Sequence, residues 1–254
     1  MDRMDETARL RARYLDLIED VLVNRIYRDP PQQVKRWRRL PFVRANREIG
    51  RDLPSQAHTM IGHERMRNLR SCLETAIAQG VPGDVIETGV WRGGACIYMA
   101  AILDAWGETA RRVWVADSFA GLPRPDARHA ADRGDRHHEN AALAISRAEV
   151  EENFRLYGLL SDRVRFLEGW FADTLPEAPI ERLAVLRLDG DMYGSTWDAL
   201  SALYGKVSPG GFVIVDDYGA VPACARAVTD FLGTQGDAPQ IERIDWTGVF
   251  WRKG

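Results

Sequence analysis

LRLDGDMYGST at residues 186–196 and GGFVIVDDYG at residues 210–219 share one construction, an apolar run that ends on carboxylates. Asp189 and Asp191 follow the first run, and Asp216 with Asp217 closes the second. Carboxylates so placed mark where a strand leaves a buried core, and in an open α/β sheet the ligand crevice lies outside the carboxyl ends of the strands. The two segments therefore bring four carboxylates to one crevice. Like charges that close disfavour one another's ionisation unless a cation or protons offset them. An all-oxygen donor set suits Mg²⁺, Ca²⁺ or Mn²⁺ rather than zinc, so the pattern predicts a metal site.

Working outward, apolar runs at residues 85–87, 113–117, 164–167, 183–188 and 212–215 alternate with helical patterns. Those patterns fall at 94–106, in a segment reaching about 157 with Val150, Phe154 and Tyr157 on one face, at 197–204 and at 221–232. Strand and helix in repetition predict a parallel, doubly wound sheet with right-handed crossovers. The last runs, 241–244 and 248–251, lie too close together for a crossover helix and predict an antiparallel edge hairpin. Ahead of the alternation, Leu10, Tyr14, Leu17, Ile18, Val21 and Leu22 space an amphipathic helix over 8–26 that halts at Pro30 and Pro31. A basic, irregular arm with short helices follows over 28–54. A second helix over 63–79 is closed by Gly80 and Pro82.

With 254 residues, 45% hydrophobic and 28% charged, the chain supports one substantial core, hence one domain with appendages. The net charge of -3 comes from interspersed charges, and the one basic run, at 35–39, is too short to indicate nucleic acid. No apolar stretch approaches the roughly 18 residues of a membrane span, and the charged N-terminus is unlike a secretory signal. Cys72, Cys96 and Cys224 each fall in a helical pattern and read as buried free thiols rather than disulfides or a zinc cluster. A soluble, cytoplasmic protein is expected.

ETGVWRGG at 87–94 follows the first strand and enters a helix, so Gly89, Gly93 and Gly94 let the backbone approach a ligand. The spacing departs from GxGxxG, because Trp91 stands where the second glycine belongs. Glu87 at the strand end suits a group bearing positive charge or hydroxyls. The next strand ends in Asp117 and Ser118, about the distance at which an acidic residue reaches a ribose diol. The plain alternative is a tight strand-to-helix turn.

Taken together, ETGVWRGG (87–94), VADSFAG (115–121), LEGWFADTLP (167–176), LDGDMYGST (188–196) and DDY (216–218) resemble the macrocin O-methyltransferase (TylF-type) family. HTMIG at 58–62 and IYRDP at 26–30 extend the resemblance over most of the chain. It implies a class I methyltransferase fold and an S-adenosylmethionine-dependent, Mg²⁺-dependent (or Mn²⁺-dependent) O-methyltransferase. The acceptor would be a sugar hydroxyl of a glycosylated natural product in antibiotic-type secondary metabolism. Residue by residue, Asp189, Asp216 and Asp217 match the metal ligands, and Asp191 matches the base. Glu87, Thr88, Gly89, Asp117 and Ser118 match the cofactor lining, Gly169 and Trp170 its adenine side, and Thr59 and Met60 its methionine end. Residues 1–62 then form a helix and arm covering the site and offering apolar surface to a second copy. Residues 63–254 form the methyltransferase domain, with a lid at about 121–142.

The chemistry is consistent with this on its own terms. An alcohol is a poor nucleophile at neutral pH, and a cation on its oxygen still leaves a base to take the proton. Asp191, two residues from Asp189, is in reach of that role. Each residue also has a plain alternative: Asp216, Asp217 and Asp191 as turn or cap residues, Trp170 and above all Phe171 as core. His137 and His138 point apart on any regular element and make a poor chelate. On a loop of that length they read as lid residues that contact sugar hydroxyls or supply an alternative base. A catechol-type O-methyltransferase shares fold, cofactor and metal, but typically pairs Asp with Asn at the second metal position and carries a lysine near the first. A nicotinamide dehydrogenase is disfavoured by the missing GxGxxG, and a non-catalytic nucleoside-binding protein by the carboxylate cluster.

Overall fold

The computed structural model describes residues 3–32, 34–35, 38–236 and 238–254; Arg36 and Trp37 of the basic run lie outside them. The chain opens with helix α1 (Arg3–Leu22), a ribbon of β1 (Val34–Lys35) and β2 (Arg38–Arg39), and helices α2 (Arg44–Glu48) and α3 (Gly62–Ala78). The alternation follows: β3 (Asp84–Thr88), α4 (Gly94–Ala105), β4 (Val113–Asp117), α5 (Arg147–Leu156), β5 (Val164–Glu168), α6 (Phe171–Thr174) and β6 (Leu183–Leu188). Helix α7 (Tyr193–Leu203), β7 (Val207–Val215), α8 (Pro222–Gln235), β8 (Glu242–Arg243) and β9 (Val249–Arg252) complete it.

Apart from the β1–β2 ribbon, the described strands form a seven-stranded sheet in the order β5-β4-β3-β6-β7-β9-β8. From β5 to β7 neighbours are parallel; β9 runs antiparallel to both β7 and β8. The expected edge hairpin is therefore present, with β9 inserted between β7 and β8. Successive side chains point to opposite faces of a strand. Val85, Val115, Val185 and Ile214 thus enter a core shared with α1, α3, α4 and α5, while Ile86, Ala116, Leu186 and Val213 enter one shared with α7 and α8. Burial on both faces is why these strands read as unbroken apolar runs.

Three boundaries differ from the sequence expectation, two for a tertiary reason and one for a local cap. Helix α1 stops at Leu22, short of the proline pair, because Asn24 turns into the left-handed region (φ 52°) and the Leu22 carbonyl accepts the N–H groups of His58 and Thr59 at 3.0 and 3.3 Å. Helix α5 starts only at Arg147, where the Ser146 hydroxyl accepts the Glu149 N–H at 3.2 Å. The connection before it consequently spans 118–146, with short 3-10 turns at Ala130–Asp132, His137–Glu139 and Ala141–Leu143. Helix α7 starts at Tyr193 rather than near 197, for a reason that lies in that same connection.

The arm is ordered by a buried arginine. Arg47 donates to Asp29, Asp52 and the Val23 carbonyl, and Asp29 also accepts the Gln56 N–H at 2.7 Å. This network delivers HTMIG to the sheet, where the His58 carbonyl accepts the Gly94 N–H at 3.0 Å. Cys72, Cys96 and Cys224 are buried and free. No helix among the described residues is long and apolar enough to cross a membrane.

Candidate active site

The chain winds from β3 outward to β5, returns past β3 to β6, and winds on through β7. The crevice at such a reversal, beyond the carboxyl ends of the strands, is where open α/β sheets bind ligands. A cavity of about 1060 Å³ opens there. Pockets for one small ligand run roughly 300–1,000 Å³, so this one stands at the top of that range.

One half of the cavity is built on the β3 exit. Gly89 has φ +88°, and a Cβ there would lie 1.8 Å from the Asp189 carbonyl oxygen, so only glycine lets β3 and β6 end side by side. Asp117 organises both turns around it, accepting the Val90 N–H and the Phe119 N–H at 2.7 Å each. Burial raises its pKa. The Ser118 hydroxyl donates to the Gly121 carbonyl at 2.6 Å. Glu87 is buried with both carboxylate oxygens engaged, one by Arg187 and the other by the Cys96 thiol at 3.0 Å; burial raises its pKa as well. Thr59 and Met60 from the arm, and Gly169 and Trp170 after β5, complete the lining.

The other half is acidic. Asp189, Asp216 and Asp217 each offer an oxygen within 4.8 Å of the others. Asp189 keeps 24% of its side chain exposed to the cavity. Burial, and then the charge of Asp216, push its pKa up to about 8. Burial followed by Asp191, Asp189 and Asp216 raises Asp217 well above the ordinary carboxylate range. Asp191 is pushed up to about 6 by burial, with His137 opposing the rise. Its backbone is left-handed (φ 54°), a conformation that costs an L-residue about 1 kcal/mol or more. Its N–H donates to Asp217 Oδ2 at 3.1 Å.

Of the residues singled out in the sequence, Thr88, Gly93, Gly94 and His138 do not line this cavity; the two glycines instead admit close packing, against Val150 and against the His58 carbonyl. Thr88 is buried in β3, its hydroxyl 3.5 Å from the Arg187 carbonyl. His137 does line the cavity, and its Nδ1 lies 2.6 Å from Asp135 Oδ2. Burial works against its charged form, but Asp135 and the charge of Asp191 overcome that and raise its pKa.

Two cations at the heart of the site escaped the sequence reading. Arg187, fully buried near the carboxyl end of β6, holds Glu87, Asp189 and Asp216. Arg65 of α3 holds Asp216 and Asp245. The carboxylates are thus partly neutralised by the protein itself, not only by a bound ion or protons. A signal for Arg187 existed, since a guanidinium inside LAVLRL has to find buried partners. For Arg65, on a helix with several arginines, no such signal was available.

Among solved structures, the O-methyltransferase NovP matches with a TM-score of 0.91 at 50% identity, over 96% of this chain and 99% of that one. Strand order, reversal point and shared cavity define a class I methyltransferase. In sequence, residues 11–253 match the macrocin O-methyltransferase (TylF) family. The chain is 58% identical over 241 residues to 8-demethyl-8-(2,3-dimethoxy-alpha-L-rhamnosyl)-tetracenomycin-C 4'-O-methyltransferase of Streptomyces olivaceus, covering 94% of this chain and 92% of the relative. It is 50% identical over 244 residues to mycinamicin III 3''-O-methyltransferase of Micromonospora griseorubida, covering 94% and 96%. The chain belongs to the macrocin O-methyltransferase family, and the enzyme is an S-adenosylmethionine-dependent O-methyltransferase. The dehydrogenase and non-catalytic readings are set aside.

Proposed function

We propose that the enzyme methylates a sugar hydroxyl of a glycosylated natural product of the antibiotic type, with Mg²⁺ or Mn²⁺ at Asp189, Asp216 and Asp217 and with Asp191 as base. The observation that carries this reading is that the β3 turn and the acidic β6 and β7 ends open into one and the same cavity. A relative 58% identical to this chain is named for a rhamnosyl-tetracenomycin acceptor, which supports the sugar.

The residues fit a divalent cation. Three oxygen donors converge, and six carboxylates (Glu87, Asp189, Asp191, Asp216, Asp217 and Asp245) outnumber the two guanidinium groups among them. The arginines occupy only part of the lone pairs that the carboxylates offer. A hard cation held there would lower the cost of removing a proton from an acceptor hydroxyl. S-adenosylmethionine supplies an electrophilic methyl group when bound on the Gly89 side. The protein's own share is then orientation and proton transfer: the β3 turn and Asp117 fix the donor's half, the lid and arm exclude water, and Asp191 accepts the hydroxyl proton. His137, paired with Asp135, contacts the acceptor from the lid.

The test is a panel assay with S-adenosylmethionine. Rhamnosyl-tetracenomycin or another glycosylated acceptor should be methylated, and chelator should abolish the reaction. Methyl transfer to a catechol and to no glycosylated acceptor would instead establish the catechol-type alternative.

A second expectation concerns stability. Asp189 and Asp217 bind protons more tightly in the folded than in the unfolded chain, so without divalent cation stability falls as pH rises towards about 8. His137, also raised, acts in the same direction. Added Mg²⁺ should flatten that slope, because positive charge among the carboxylates favours their ionised form. Melting curves from pH 6 to 8.5 check this, and an equal slope with and without Mg²⁺ would count against the metal site.

A further inference from the structure

Helix α7, which begins directly after the LDGD turn, has no cap of its own. Met192 stands at its N-cap position, without a side-chain hydrogen bond. The first N–H groups of a helix have no intrahelical partner and need one from elsewhere. Here the partner comes from the connection between β4 and α5. Asp132 Oδ1 accepts the Tyr193 N–H at 2.7 Å, and Oδ2 accepts the Gly194 N–H at 2.8 Å. Asp132 is 2% exposed although it belongs to a surface connection. A buried carboxylate at a helix N-terminus is favoured by the helix dipole as well as by its hydrogen bonds. Gly194 makes the seat possible, because a Cβ there would come within 3.0 Å of the His129 ring and 3.3 Å of Asp132 Oδ2. The same turn lays His129 against Tyr193, ring centroids 5.3 Å apart.

The capped residues stand two and three positions after Asp191. The left-handed backbone of Asp191 is therefore fixed from both sides: its own N–H is held by Asp217, and the two residues after Met192 are held by Asp132. Aspartate is one of the few non-glycine residues that enter this region, and the conformation still carries a cost that surrounding contacts offset. We propose that Asp132 is a positioning residue: from the lid it locks the α7 N-terminus and so sets Asp191 in its working conformation, joining lid closure to assembly of the base. The inference rests on the reading of Asp191 as base.

The test uses Asp132→Ala and Asp132→Asn in the full-length enzyme, assayed with the glycosylated acceptor that the panel identifies. Asp132→Ala should lower kcat about ten- to a hundredfold, the scale of a misplaced reacting group, with calorimetric binding of S-adenosylhomocysteine unchanged. Asp132→Asn retains one good acceptor and should recover part of the loss; it also serves if the alanine variant fails to fold. In an Asp191→Asn background, Asp132→Ala should cost no further kcat, because the residue it positions is already silent. Amide hydrogen exchange across 189–196 should rise in both Asp132 variants. An equal fold-loss in both backgrounds, or unchanged exchange over 189–196, would overturn the proposal and leave Asp132 a plain helix cap. If Asp191→Asn alone retains wild-type turnover, the base reading falls, while the exchange measurement still decides whether Asp132 holds the turn.

Discussion

Asp191→Asn is expected to lower turnover by about two to four powers of ten, the usual contribution of a positioned base, while S-adenosylhomocysteine and Mn²⁺ still bind. Asparagine is the informative replacement here. It is among the few side chains that tolerate the left-handed backbone found at this position (φ 54°), and the N–H bond to Asp217 is unaffected. What disappears is the ability to accept a proton. Burial has already pushed Asp191 up to about 6, closer to the range in which a general base works best. The rival base is His137, which lines the same cavity and is steadied by Asp135. His137→Ala abolishing turnover while Asp191→Asn leaves it largely intact would transfer the role to the lid. His138, outside the cavity lining, serves as the control and should be replaceable by alanine at little cost in rate.

Most of the fold was legible because both faces of the sheet are buried. The runs at 113–117 and 183–188 coincide with β4 and β6, and the short gap after 244 pointed to the antiparallel hairpin. The convergence of Asp189, Asp191, Asp216 and Asp217 was legible for the same reason, since strand ends at a winding reversal have nowhere else to point. What the local pattern could not supply was everything set from a distance. The stop of α1 at Leu22 depends on HTMIG, more than thirty residues on, and the start of α7 depends on Asp132, 61 residues before Tyr193. Arg65 meets Asp216 across 151 residues. A one-dimensional reading therefore finds the carboxylates but not their counter-charges: Glu87 lines the cavity as expected, but the Arg187 and Cys96 contacts on its two oxygens come from outside its own segment.

Those counter-charges decide how the metal site is to be tested, and they separate two aspartates that the sequence presents as equivalent. Asp216 binds Arg65 through one oxygen and Arg187 through the other, all three buried. Removing its charge strips two buried guanidinium groups of a partner, a kind of loss that typically costs about 3–5 kcal/mol. Asp216→Asn should therefore lower the melting temperature, and its lost activity would say little about metal. Asp217 is different: its side chain accepts the N–H of Asp191, which an asparagine carbonyl can still accept. Burial and its carboxylate neighbours already disfavour its charge. Asp217→Asn should therefore leave the metal-free protein as stable as wild type or more so at pH 8, because it relieves repulsion without orphaning a cation. Its effect should fall on the ion. Mn²⁺ affinity, read by calorimetry, should drop by about two powers of ten or more, since even outer-shell partners of a metal ligand are worth roughly 10–100-fold. Turnover at limiting Mg²⁺ should fall with it and recover in part at high Mg²⁺. A variant that folds, binds Mn²⁺ as tightly as wild type and turns over at limiting metal would leave Asp217 a turn residue and the three-aspartate site without its third ligand.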